Sequence, residues 1–195
     1  TLENDVRRQT APTDADRLFL RLLAFRPGDK GALSAYFLNH VRLEPGEALF
    51  LAPNEPHAYL NGTIVECMAN SNNVVRAGLT DKFTDDRVLG DMLTYRQGPP
   101  PRLDGSTRSD TAYRVPVPEF RVDAWQRQTG EEQRYHSDGR VSLLVVTQGA
   151  VRFGLPSGTV TAGRGTIWLW PAELPAVTAT FVENTRVFRA TTGTI

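Results

Sequence analysis

The order of apolar and polar residues changes character several times along this chain. Residues 14–26, DADRLFLRLLAF followed by Arg26, place apolar side chains at 18, 19, 22, 23 and 25. That recurrence is helical, with Thr13 or Asp14 able to cap the start and Pro27-Gly28 to stop it. From Leu33 to Val75, short runs of Val, Ile, Leu, Phe and Tyr are cut by Pro-Gly, Asn-Glu-Pro and Asn-Gly. This predicts an antiparallel sheet of short strands. Helical spacing returns in TDDRVLGDMLTY, 84–95, with Thr84 as a candidate N-cap. The stretch RQGPPPRLDGSTRSDTAYRVPVPEF, 96–120, is loaded with Pro, Gly, Ser and Thr and reads as a linker, after which strands and turns run from Phe120 to Ile195.

An internal echo adds to this. PGEALFLAPNEPHA (45–58) and AGRGTIWLWPAELPAV (162–177) share a small or glycine-containing turn, an apolar strand, a proline-marked break with a glutamate, and a second proline leading onward. That is the plan of a cupin-type barrel, met twice. The residue after the second proline is His57 in the first copy and Ala176 in the second, so the second barrel is expected to be structural. The predicted fold is mainly β: two cupin-like (jelly-roll) barrels with a short N-terminal helix and an inter-barrel helix. The predicted division is the end of a helical region (1–32), a barrel segment with its following helix (33–95), a linker (96–119) and a second barrel (120–195).

Charge and composition remove several alternatives. Lys+Arg and Asp+Glu both count 22 in 195 residues, so no net field draws the chain to nucleic acid or to an anionic membrane. The longest apolar runs are too short to span a bilayer, and no secretory pattern opens the chain. One cysteine, Cys67, excludes an intrachain disulfide and favours a reducing compartment, here the cytoplasm. No P-loop, GxGxxG, nucleophile elbow or CxxC pattern competes for attention. The chain opens at Thr1 directly on charged, helix-like sequence, and reads as a piece of something longer.

The candidate chemistry lies in APNEPHAYLNGTIVEC, 52–67, which holds His57, one of three histidines. Asn61-Gly62 between strand-like runs predicts a type I′ hairpin. Its register sets Leu60 against Thr63, Tyr59 against Ile64 and His57 against Glu66, so His57, Tyr59 and Glu66 share one face. Downstream, Arg76 and Lys82 would suit an anionic, hydroxylated ligand such as a sugar phosphate. Each has an ordinary alternative: a strand histidine is more often packing than ligand, and two basic loop residues usually face solvent. On the residues alone these readings stay level.

FLNHVRLEPGEALFLAPNEPHAYLNGTIVECMANSNNVVRAGLTDKF, and within it PHAYLNGTIVECMANSNNVVRAGLT, resembles the signature region of the type I mannose-6-phosphate isomerases, zinc-dependent enzymes of cupin fold. The resemblance extends loosely over the whole chain and implies an aldose–ketose isomerase interconverting mannose 6-phosphate and fructose 6-phosphate through a cis-enediol, in mannose metabolism and GDP-mannose biosynthesis. It implies one zinc ion held by a glutamine, two histidines and a glutamate, of which only the last histidine has a counterpart here, His57. The others belong to an N-terminal half, which would be this chain's partner, and the completed enzyme would be a monomer. His40 falls where the family has tyrosine and is no substitute. Arg76 matches the active-site arginine; Tyr59, Glu66 and Lys82 match polar residues of the substrate pocket. Two departures stand out: Ser71-Asn72-Asn73 where the family reads Ser-Asp-Asn, and Thr80-Asp81-Lys82 where it reads Thr-Pro-Lys. A different class, a non-catalytic cupin-type sugar-binding or regulatory module, stands beside the isomerase. A cupin oxygenase would need further His or Glu ligands in the first barrel.

Overall fold

The computed structural model describes residues 1–71 and 73–193. They divide into two compact bodies, one within Thr1–Arg42, Leu51–Gly62 and Asn72–Pro101, the other within Leu43–Phe50, Thr63–Ser71 and Arg102–Ile195.

The first body is helical at its start. α1 spans Leu2–Arg7 and α2 Asp14–Phe25, followed by a 3-10 turn at Lys30–Leu33 and a short α3 at Ser34–Phe37. α2 begins with a full capping box. The Asp16 amide donates to Thr13 Oγ1 at 3.1 Å, and the Thr13 amide donates back to Asp16 Oδ2 at 2.8 Å. Tyr36 Oη donates to the other carboxylate oxygen of Asp16 at 2.8 Å, tying α3 to the start of α2. The apolar stripe of α2 packs through Phe19, Leu18, Leu22 and Leu23 on Val6, Ala32, Ala35 and Leu79. Phe25, placed on the same stripe by its spacing, is exposed, and the Arg26 guanidinium covers its ring at 5.7 Å. The later helix, α4, spans Asp86–Met92 and is capped by Asp85, which accepts from the Arg87 and Val88 amides, rather than by Thr84.

The strands expected between Leu33 and Val75 are reduced, among the described residues, to β1 at Ala48–Leu49, paired with β2 at Arg102–Leu103. The start of that region is helical instead, because the Asp29 carboxylate caps the 3-10 turn by accepting from the Gly31 amide. The type I′ hairpin is not formed. Gly62 takes φ +107° but Asn61 is not left-handed, whereas a type I′ loop needs both, and residues 57–66 carry no ladder. A two-residue loop of the other hand splays its strands, and a lone hairpin is marginal without further strands beside it.

The second body carries the sheet structure. β3 (Thr111–Tyr113), β4 (Arg121–Arg127), β5 (Glu132–Tyr135), β6 (Ser142–Gln148), β7 (Ala150–Leu155), β8 (Gly158–Gly163), β9 (Ile167–Trp170), β10 (Val177–Phe181) and β11 (Thr185–Thr191) form two antiparallel sheets. Their orders are β3-β4-β11-β6-β9 and β5-β10-β7-β8. β2 and β3 lie inside the stretch read as a linker. Period-2 alternation builds the core: Leu144 and Val146 of β6 and Val187 of β11 point inward with Val151, Phe153, Ala179 and Phe181. Tyr135 stacks edge-on against Trp170 at 4.4 Å and Trp125 at 5.2 Å, with Phe153 against Trp170 at 5.1 Å. About 10 Å³ of free space remains among these side chains, room for one water. The same alternation turns Arg189 inward, where it donates to Ser142 Oγ at 3.1 Å and the Ser137 carbonyl at 3.3 Å and lies 5.5 Å from the Tyr135 ring centre.

Candidate active site

His57 follows a tight turn. Pro53 and Pro56 bracket it, and Asn54 takes φ +65°, a left-handed conformation that asparagine tolerates. The carboxylate of Glu55 anchors the turn by accepting from Thr94 Oγ1 at 2.9 Å, with Arg96 Nε 3.9 Å away. His57 Nδ1 lies 2.9 Å from the backbone carbonyl of Glu55. A carbonyl oxygen only accepts, so Nδ1 carries a proton, and in the neutral imidazole Nε2 presents a lone pair. This is the tautomer of a metal-binding histidine, with its second nitrogen held by the backbone. Tyr59, two residues on, lies 6.0 Å from the imidazole between ring centres, and both side chains are exposed. Glu66 is exposed in the second body.

His40 behaves differently. Its Nε2 lies 3.0 Å from the Ala35 carbonyl, so that nitrogen is the donor and closes the end of α3. Among the described residues, no three His, Cys, Asp or Glu side chains come together as a metal centre. Cys67 is half-buried and burial pushes its thiol up, which keeps it protonated at neutral pH and a poor nucleophile. No helix among the described residues is long and apolar enough to cross a membrane.

Arg76 is half-buried and Lys82 exposed, at the two ends of one loop of the first body. Between them, Gly78 and Leu79 both take positive φ, +124° and +56°. The Leu79 amide donates to Asp29 Oδ2 at 2.7 Å. Asp81 is gripped by both terminal nitrogens of Arg26, with Nη2 donating to Oδ2 at 2.7 Å, and this guanidinium holds the Asp81 carboxyl below the usual carboxylate range. The substitution of aspartate for proline therefore does not place a free negative charge beside Lys82. Asn72, the other departure, lies outside the described residues. Glu55, Asp29 and Arg26 escaped the sequence reading. Only the Asn-Glu-Pro-His and Asp-Lys-Gly turns hinted at the first two, and nothing local marks Arg26.

No protein-family model matches the chain. Among curated relatives, mannose-6-phosphate isomerase 1 of Arabidopsis thaliana is 43% identical over 163 residues, 83% of this chain and 38% of its own length. The mannose-6-phosphate isomerase of Rattus norvegicus is 39% identical over 183 residues, 89% of this chain and 43% of its own. The chain belongs to the mannose-6-phosphate isomerase family. It spans less than half the length of these relatives. Solved structures of phosphomannose isomerase from Salmonella typhimurium agree. A mutant form superposes with a TM-score of 0.83 at 26% identity, over 98% of this chain and 48% of that one. The apo form gives 0.81 at 26% identity, over 100% and 49%. The mainly β architecture with few helices is thus that of the isomerase family, seen over about half of its length.

Proposed function

We propose that this chain supplies part of the active site of a cytoplasmic, monomeric mannose-6-phosphate isomerase, which interconverts mannose 6-phosphate and fructose 6-phosphate. The observation that carries the reading is the identity of 43% and 39% to isomerases over more than four-fifths of the chain. The His57 tautomer supports it: Nε2 is the nitrogen a zinc ion would use. A tetrahedral centre takes four ligands. The remaining ligands are assigned to a segment outside this chain, which would also complete the first of two cupin-like barrels. Bound zinc supplies Lewis acidity toward the substrate oxygens.

The chain's own residues do the rest of the work assigned to them here. The Arg76 guanidinium donates hydrogen bonds to the oxygen that gains negative charge as the C2 proton leaves the open-chain sugar. Lys82 offers a compact positive charge to the substrate phosphate. Tyr59 and Glu66 hold sugar hydroxyls, one as donor and acceptor, the other as acceptor.

The test is zinc content together with isomerisation of mannose 6-phosphate, on this chain and on the protein at its native length. The native-length protein is expected to hold one zinc and to turn over, and the 195-residue chain to do neither. Full activity and stoichiometric zinc in the 195-residue chain alone would overturn the ligand assignment. A native-length protein that binds mannose 6-phosphate without isomerising it would make this a binding module instead.

A further inference from the structure

The loop between Arg76 and Lys82 is held in a conformation that its own sequence does not favour. Leu79 at φ +56° occupies the left-handed region that a side chain bearing a Cβ avoids. It stays there because the Asp29 carboxylate bridges two backbone amides 48 positions apart, accepting from Gly31 and from Leu79 at 2.7 Å each. The backbones of the 3-10 turn and the loop touch. A Cβ on Gly78 would stand 2.7 Å from Asp29 Oδ1 and 2.8 Å from Gly31 Cα, so neither glycine can be replaced without moving the loop. Two residues after Leu79, the Arg26 fork takes up Asp81. The next amide, that of Lys82, donates to Thr80 Oγ1 at 3.2 Å and closes a local turn.

These tethers come from one place, the end of α2 and the 3-10 turn that follows it, and they bracket residues 79 to 81. The charged groups of Arg76 and Lys82 just outside the bracket carry no ion pair or hydrogen bond among the described residues. The Asp29 carboxylate and the Arg26–Asp81 pair thus hold a strained loop without engaging, among the described residues, either of its two cations. A surface ion pair that merely stabilised the fold would contribute little. A pair that fixes the approach of two cations to a bound anion matters in proportion to how far they would otherwise wander.

We infer that Asp29 and the Arg26–Asp81 ion pair are positioning residues, which orient Arg76 and Lys82 toward an anionic substrate. In place of the proline that would stiffen this turn covalently, the chain uses an ion pair reaching back to α2. The inference rests on the isomerase reading of Arg76 and Lys82 given above.

The experiment measures kcat and KM for mannose 6-phosphate on the native-length protein carrying Asp81→Asn, Arg26→Lys, Arg26→Ala with Asp81→Ala together, and Asp81→Pro, with Arg76→Ala as reference. Asp81→Asn and Arg26→Lys each break the fork with little change of shape and are expected to lower kcat/KM on the order of 10-fold. The double alanine variant should lose no more than a single one, because both remove the same contact. Asp81→Pro, which stiffens the turn without the ion pair, should restore most of the loss, which a generally destabilised protein would not show. If Arg76→Ala lowers turnover while Asp81→Asn and Arg26→Lys leave kcat/KM unchanged in folded protein, the positioning role is overturned and the isomerase reading stands. If Arg76→Ala is itself without effect, the site assignment fails first. Should Asp81→Asn fold poorly, Arg26→Lys with Asp81→Pro still decides.

Discussion

At the scale of single residues, the proposed zinc chemistry turns on which nitrogen of His57 is left open by the backbone. The Glu55 carbonyl occupies Nδ1, so His57→Ala removes the proposed Nε2 ligand and also frees that carbonyl. In the native-length protein, zinc and activity should be lost together, as read by metal analysis and turnover on the same sample. Arg76→Ala is expected to act otherwise: zinc stays bound and kcat falls on the order of 10²-fold or more, as when one donor to a developing oxyanion is removed. Release of zinc by Arg76→Ala would show that the two residues do not divide these roles. Asp81 illustrates why a residue's formal charge is a poor guide to its effect. Read along the chain it crowds Lys82, yet in three dimensions its charge is spent on Arg26, 55 positions away.

Elements show the same contrast between local and distant causes. α2 is locally specified: its stripe, its capping box and its terminating Pro-Gly are contiguous in sequence. Thr13→Ala should cost about 1 kcal/mol in thermal or denaturant unfolding, the usual value of a lost N-cap. The box also makes the first body acid-sensitive. Hydrogen bonds from the Thr13 hydroxyl and amide, and then from Tyr36, hold the Asp16 carboxyl below the usual carboxylate range. A carboxyl lowered on folding stabilises fully above its unfolded value of about 4, and that stability is lost as pH falls through the lower folded value. Helical melts by circular dichroism should therefore be flat from neutral pH down to about pH 4 and fall below it, and Asp16→Asn should flatten the acid limb. The segment from 52 to 66 is the opposite case. Its Asn-Gly signal is strong, but Asn61 stays right of the left-handed region and no ladder forms, since a hairpin needs strands beside it to persist.

For the whole molecule, the two bodies carry different burdens. The aromatic and aliphatic core of the second body leaves almost no free space, so it is expected to act as scaffold. Leu144, fully buried, is its test. Leu144→Ala should cost about 2–5 kcal/mol of stability through the cavity it leaves. Turnover per folded native-length molecule should stay unchanged. A specific loss of kcat without loss of stability would place catalytic work in the second body. Of the candidate residues, His57, Tyr59, Arg76 and Lys82 lie in the first body, where short irregular segments outnumber strands, and Glu66 lies in the second. This matches a chain that spans less than half of its relatives.

What the sequence by itself determined were features whose causes lie within a few residues of one another. These are the helix at 14–25 with its cap, a helix within 84–95, strands and turns from 120 onward, and the PHAY motif with its family. Tertiary structure decided what depends on partners far along the chain. It supplied the Ser142 hydroxyl and the Ser137 carbonyl that meet the inward-facing Arg189, and it holds Leu79 left-handed through Asp29. It engages Asp81 through Arg26, and it denies residues 57–66 a ladder. Periodicity reports which face of an element is apolar. Which distant group will meet a given carboxylate or amide depends on how the chain returns on itself, and no local pattern encodes that.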